Sequence, residues 1–279
     1  MIITYQEFCD LTLKLAQTGQ DFFELLLKKV INNPSRYCGL FRLSNAKTKL
    51  IQNVTQSREI IFGDIMEELT TQYLDRLGYQ NYDKHLGVDE NGDALNADQF
   101  FTDGNTLYLV EMKIRDDHDS TKKRGQFANF VKKINLIKTL YPSTHLDASM
   151  WFVDDGLKKN KRYYTNEMAR SSISNCSLHL YYGDSFFNVL NGGAEAWSEL
   201  TSILTDYRIE NINTDVEIPD FGTSDEIYKA LLSLSSKNWN KLTSDDPQYV
   251  LLRQELFSSG DNIEKARIER IRRLTQGHR

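Results

Sequence analysis

The run Ala97-Asp98-Gln99-Phe100-Phe101-Thr102-Asp103-Gly104-Asn105-Thr106-Leu107-Tyr108-Leu109-Val110-Glu111-Met112-Lys113 decides the fold. It reads as a strand, an Asp-Gly-Asn turn and a second strand rich in Leu, Tyr and Val. Asp-Gly between two such runs is a strong hairpin signal. Strand side chains alternate faces, so Leu107, Leu109, Glu111 and Lys113 point one way and Tyr108, Val110, Met112 and Ile114 the other. A charged pair therefore interrupts an apolar face near the end of the strand. The hairpin also brings Asp98 alongside Glu111.

On the N-terminal side, Phe62, Ile65, Met66, Leu69, Tyr73 and Leu77 recur at helical spacing and Gly78 follows as a stop, which predicts a helix over 62–77. Earlier, Thr4 to Ile31 reads as one or two helices, halted by Asn32-Asn33-Pro34-Ser35. On the C-terminal side the order is a polar loop over 116–125, a helix over 126–141, a strand over 148–154, a helix over 163–172 and a strand over 178–182. From about Ala194 the pattern is helical again. Alternating strands and helices predict an α/β protein with a mixed central sheet covered on both faces. Three regions follow: helical over 1–60, an α/β core over 61–193 and helical over 194–279.

The chain has 279 residues, 34 Lys plus Arg against 39 Asp plus Glu, and a formal charge of −5. With 40% hydrophobic and 26% charged residues it has the balance of a soluble globular protein. No stretch approaches the roughly 18 apolar residues of a membrane span, and no signal peptide is evident, so a cytoplasmic protein without membrane contact is expected. Cys9, Cys38 and Cys176 have no C-x-x-C spacing, which supports neither disulfides nor zinc. The glycine-rich phosphate and dinucleotide motifs are absent, so no nucleotide cofactor is expected. His85, His145, His179 and His278 have no partners at ligand spacing and read as structural.

Two neighbouring carboxylates are costly unless positive charge sits between them. A hard divalent cation such as Mg²⁺ supplies it, taking one or two carboxylates while keeping several waters. A nearby ammonium can orient a metal-bound water and offset charge that builds on a phosphate. Asp98, Glu111 and Lys113 are thus suited to metal-assisted hydrolysis of a phosphodiester. The plainer reading of Glu111 and Lys113 is a same-face ion pair at a strand end, worth about 0.5 kcal/mol.

This arrangement resembles the PD-(D/E)XK nuclease superfamily and, within it, the type II restriction endonucleases. Ala97-Asp98 stands where Pro-Asp is usual, without the Pro. Glu111-Met112-Lys113 is an intact (D/E)-X-K, and Gly63-Asp64-Ile65-Met66-Glu67 occupies the helix that commonly carries another acidic residue. The resemblance covers about 62–187 and implies a restriction-endonuclease-like fold. It implies that Asp98, Glu111 and the backbone carbonyl of Met112 hold Mg²⁺, that Lys113 positions the attacking water, and that Glu67 supports the metal or the water. Asp93 and Asp103 are rival first carboxylates, although Asp103 heads a turn and is better explained by it.

Basic residues supply the remaining expectations. Ser120, Thr121, Lys122, Lys123 and Arg124 are read as phosphate contacts beside the site, against a solvated loop in which Ser120 or Thr121 caps the next helix. The adjoining Asp116, Asp117, His118 and Asp119 are consecutive and unsuited to converging on one ion. Lys158, Lys159, Lys161 and Arg162, followed by Tyr163 and Tyr164, suit backbone contact with stacking, or equally an exposed helix start. The tail from Arg267 to Arg273 is read either as a DNA contact or as an amphipathic helix using Ile263, Ile268, Ile271 and Leu274. The expected protein is a Mg²⁺-dependent endonuclease cutting double-stranded DNA at a short sequence as a homodimer, since a two-fold site is matched by a two-fold protein. The alternatives are a repair or recombination nuclease of the same superfamily and a non-catalytic DNA-binding protein.

Overall fold

The structure, a computed structural model, describes residues 1–15, 20–114, 120–211 and 218–276. The predicted hairpin is present: β4 (Gln99–Thr102) and β5 (Thr106–Lys113) pair antiparallel, with Gln99 opposite Val110 and Thr102 opposite Leu107. The Asp103 carboxylate accepts from the amides of Asn105 and Thr106 and from the Tyr108 hydroxyl, and Gly104 takes φ 97°. These contacts commit Asp103 to the turn.

The remaining strands are β1 (Gln80–Asn81), β2 (His85–Val88), β3 (Ala94–Asn96), β6 (His145–Phe152) and β7 (Cys176–Tyr182). The helices are α1 (Tyr5–Leu15), α2 (Gln20–Asn32), α3 (Ala46–Arg76), α4 (Ser120–Leu140), α5 (Lys161–Arg170), α6 (Gly193–Asn211), α7 (Asp225–Ser233), α8 (Ser236–Leu242), α9 (Pro247–Leu256) and α10 (Asn262–Gln276). Among the described residues the main sheet has five strands in the order β1-β4-β5-β6-β7. Its β1–β4 and β4–β5 pairs are antiparallel, while β5–β6 and β6–β7 are parallel and joined through α4 and α5. The mixed α/β sheet flanked by helices is the expected fold class.

Alternation along the strands sorts the sheet's two faces. Phe100, Leu107, Leu109, Ala148, Met150 and Phe152 pack with Phe127, Phe130, Ile134 and Ile137 of α4. On the other face Trp151 lies against Phe186, Phe187 and Trp197 and donates its indole N–H to the Gly183 carbonyl at 2.8 Å. Gln99, fully buried, donates to the Glu67 carbonyl at 2.6 Å and accepts from the Thr71 hydroxyl at 2.8 Å. A polar side chain thus ties β4 to α3.

Two helices differ from their predicted bounds. Helix α3 starts at Ala46, well before Phe62, and α4 starts at Ser120, so 120–125 is the first part of a helix and not a loop. In α10 the buried residues are Asn262 and Ala266, with Ile263 partly buried, whereas Ile268, Ile271 and Leu274 are exposed. That corrects the amphipathic reading of the tail. Arg270 instead lies over the Trp239 ring and donates to the Leu231 and Leu232 carbonyls.

The chain forms two compact units. One comprises Met1–Cys9 and Gly63–Glu210; the other comprises Asp10–Phe62 and Asn211–Arg279. The second unit is helical, with Leu27, Val30, Leu50, Leu231 and Leu252 in its core. Its helices begin where the sequence supplies caps: Ser224, Ser235 and Asp246 each accept from a backbone amide of the first turn, and Pro247 follows the last of these.

Replacing Gln99 by Leu keeps the volume but removes one of two acceptors of the Thr71 hydroxyl and one donor to the Glu67 carbonyl. We expect Gln99→Leu to lower unfolding stability by about 1–2 kcal/mol, read as a lower denaturant midpoint at unchanged slope. An unchanged midpoint would show that this bond does not hold β4 to α3.

Candidate active site

One residue beyond the Gln99–Val110 pair, Asp98 lies beside Glu111 at the end of the hairpin. The Asp98 Oδ2 accepts from the Met112 amide at 2.6 Å, which fixes the carboxylate against β5. Glu111 is only 7% exposed. Its Oε1 meets Lys113 Nζ at 2.9 Å and its Oε2 meets Lys133 Nζ at 2.6 Å, while Lys113 Nζ is 3.8 Å from Asp98 Oδ2. Two carboxylates and two ammonium groups thus share one largely buried place.

Lys133 did not enter the sequence reading. It is 4% exposed and projects from α4 between the buried Phe130 and Ile134. A lysine inside the apolar stripe Phe127, Phe130, Ile134, Ile137 was the available signal, because an unpaired ammonium is not stable there.

The charges act unequally on the three carboxyls. Burial, then the Glu111 charge, pushes Asp98 up to about 6 against the pull of Lys113 and Lys133. Burial would raise Glu111 too, but Lys113 and Lys133 outweigh it and hold that carboxyl below its usual range. Lys113 is held above its ordinary value, its burial being overcome by Glu111 and Asp98, so it is an ammonium at neutral pH. On α3, burial and next the Asp98 charge push Glu67 up to about 7. Glu67 therefore lies within electrostatic reach of Asp98 and Glu111, whereas Glu68 accepts from Gln72 on its own helix. Asp93 is exposed and takes part in the turn begun by Asp89.

The structure brings the two basic clusters together. Lys123 donates to Asn160 Oδ1 at 3.3 Å and stands over the Tyr163 ring at 4.9 Å, linking the start of α4 to the start of α5. Lys122 and Arg124 are exposed beside it, as are Lys158, Lys159, Lys161 and Arg162. Lys158 is 3.9 Å from Asp155, and Lys161 lies over the Tyr182 ring at 5.3 Å. Residues 115–119, with Asp116, Asp117, His118 and Asp119, and the side chains of Ser120 and Thr121 lie outside the described residues, as does His278. His85 bonds to Asn96, while His145 and His179 both approach Asp147.

Among the described residues no three His, Cys, Asp or Glu side chains are grouped to hold a metal ion. Two carboxylates and a carbonyl are all that Mg²⁺ needs from a protein, with water completing its shell. The donor set Asp98, Glu111 and Met112 is entirely hard oxygen. That donor chemistry fits a hard divalent cation, and the Lys113 ammonium stands beside both carboxylates.

A mixed sheet flanked by helices, with an Asp at the head of one strand and Glu-x-Lys on its hairpin partner, is the restriction-endonuclease-like arrangement. Residues 84–208, somewhat under half of the chain, match the family model described as Type II restriction endonuclease, HinfI. The likeness to type II restriction endonucleases therefore rests on more than the short motif. No curated protein and no solved structure matches the chain. No helix among the described residues is long and apolar enough to cross a membrane.

Removing Lys133 leaves the buried Glu111 carboxylate with Lys113 alone and its Oε2 without a counter-charge. We expect Lys133→Met to destabilise the protein by about 3 kcal/mol at neutral pH, measured by denaturant unfolding, and to lose less at low pH, where Glu111 takes up a proton. A pH-independent loss would place the role of Lys133 in packing alone.

Proposed function

We propose that the protein is a site-specific deoxyribonuclease of the type II restriction kind, cutting double-stranded DNA as a homodimer in the cytoplasm. The observation that carries this reading is the juxtaposition of Asp98, just before β4, with Glu111 and Lys113 of β5, inside the segment that matches the HinfI family. The charge at the starts of α4 and α5 agrees in sign, since Lys123 joins the two through Asn160 and Tyr163 and Lys122, Arg124, Lys158, Lys159, Lys161 and Arg162 are exposed there.

Asp98, Glu111 and the Met112 carbonyl would hold Mg²⁺. That ion, when bound, lowers the pKa of its water and neutralises charge on the phosphate. Lys113 donates hydrogen bonds from its ammonium, so it orients the attacking water and does not take its proton. Glu67, with a carboxyl near neutrality, accepts from that water or supports the metal. Lys133 keeps Glu111 ionised and in place. Exposed lysines and arginines at the starts of α4 and α5 take backbone phosphates, as Ser120 and Thr121 also would.

Incubation with plasmid DNA and Mg²⁺ tests the reading: discrete fragments are expected, and Lys113→Ala should bind DNA but lose cutting by about a hundredfold or more. Smears or loss from ends would favour a repair nuclease, and undiminished cutting by Lys113→Ala would remove that residue from the mechanism.

A second expectation comes from Asp98. Its folded-state value of about 6 lies above the ordinary carboxylate value of about 3.9. The neutral acid is thus favoured by the fold, so this stabilisation is complete below about pH 3.9 and is lost as pH rises through 6. At pH 8 without divalent metal, Asp98→Asn should be more stable by on the order of 2 kcal/mol, while losing divalent-cation affinity. A lower melting temperature for Asp98→Asn at pH 8 would contradict it.

A further inference from the structure

The helical unit formed by Asp10–Phe62 and Asn211–Arg279 contains a polar cleft of its own. Arg36, Tyr37, Arg42, Lys49, Gln52 and Asn53 line it, and no carboxylate does. Elsewhere the chain pairs many of its cations with acids, as in Arg76 with Glu7 and Lys132 with Asp89. In this cleft, among the described residues, none of the three cations meets an acid. Arg42 spends Nε and Nη2 on the Ser35 carbonyl, and Nη1 has no acceptor. Among the described residues the Lys49 ammonium donates only to Gln52 Oε1 at 2.8 Å, and the Arg36 guanidinium has no hydrogen-bond partner.

A buried polar group reinforces the point. Tyr37 is 1% exposed and its hydroxyl has no partner among the described residues. Leaving such a group unsatisfied costs about 1–3 kcal/mol, and each one in a native protein calls for an explanation. The cleft thus presents a guanidinium edge, an ammonium, a phenol and an amide, all able to donate, with negative charge missing. A tetrahedral oxyanion offers acceptors in every direction, and Arg matches a phosphate through paired bonds.

The loop that carries Arg42 also leaves Leu40, Phe41 and Leu43 almost wholly exposed. A free anion would leave that apolar tip bare, whereas a duplex offers, next to its phosphates, grooves whose base steps accept Phe and Leu wedges. The geometry points to a second DNA contact: the cleft of the helical unit seats a backbone phosphate of the duplex, an inference that rests on the nuclease reading above. By this account Arg36, Arg42, Lys49 and Tyr37 set affinity and register without reading bases.

Fluorescence anisotropy of the full chain with a labelled duplex, in the absence of divalent metal, tests the assignment. Replacing both Arg36 and Arg42 by Ala should weaken binding by about tenfold or more, equally for unrelated sequences, and reduce the salt slope of log affinity by about 0.9 for the lost phosphate. Tyr37→Phe should weaken duplex binding while the unfolding midpoint stays level or rises, because the hydroxyl is unpaired in the free protein. Wild-type affinity and salt slope in these variants would overturn the proposal. It would equally fall if inorganic phosphate raised the wild-type melting temperature while duplex affinity ignored the substitutions, or if they altered only self-association. Absence of duplex binding by the wild type itself would sink the nuclease reading along with the cleft, whereas binding that ignores the cleft would sink the cleft alone.

Discussion

A carboxylate buried to 7% exposure survives as an anion only if the protein supplies counter-charge at contact distance, and Glu111 has it twice, from Lys113 and Lys133. Much of the sheet's arrangement serves that requirement. The antiparallel hairpin puts Asp98 beside Glu111, the parallel β5–α4–β6 crossover covers the same face with α4, and α4 delivers Lys133 from among its phenylalanines and isoleucines. The result holds one acid ionised while leaving two others, Asp98 and Glu67, with carboxyls raised to about 6 and about 7. Charge is stored in the site in a form that a divalent cation would relieve.

The hairpin was legible in the sequence because its turn is written in local chemistry. Asp103 satisfies two amides and a tyrosine hydroxyl, and Gly104 takes a backbone angle that other residues resist. Strand alternation then placed Glu111 and Lys113 together, and the apolar stripe of Ile65, Met66, Leu69 and Tyr73 located the helix that carries Glu67. Lys133 escaped because pattern reading counts a lysine as a solvent-facing residue. Its partner lies 22 residues away on another element, and only the packing of α4 on the sheet brings the two together. The early start of α4 was hidden by the polar run Ser120 to Gly125, which has the composition of a loop. The meeting of the two basic clusters through Lys123, Asn160 and Tyr163 is likewise tertiary. The tail erred the other way: Ile268, Ile271 and Leu274 have helical spacing, yet that spacing says nothing of whether a partner covers them.

The family match and the site coincide where the chemistry is densest. Residues 84–208 contain Asp98, Glu111, Lys113 and Lys133, together with the basic starts of α4 and α5. The helical unit of Asp10–Phe62 and Asn211–Arg279 lies wholly outside the match. That division suits an enzyme whose cutting residues follow a shared plan while its further contacts with DNA are its own. The arginines that meet no acid among the described residues and the unpaired hydroxyl of Tyr37 in that unit are features that the protein's own stability does not explain.

The account depends on Asp98 and Glu111 jointly gripping a hard cation. Diffraction from crystals of the protein soaked in Mn²⁺, collected at the manganese absorption edge, asks this directly. The account predicts an anomalous peak bounded by the Asp98 and Glu111 carboxylates and the Met112 carbonyl, lost in Glu111→Gln. A peak elsewhere with none at this place, or one indifferent to Glu111→Gln, would contradict it.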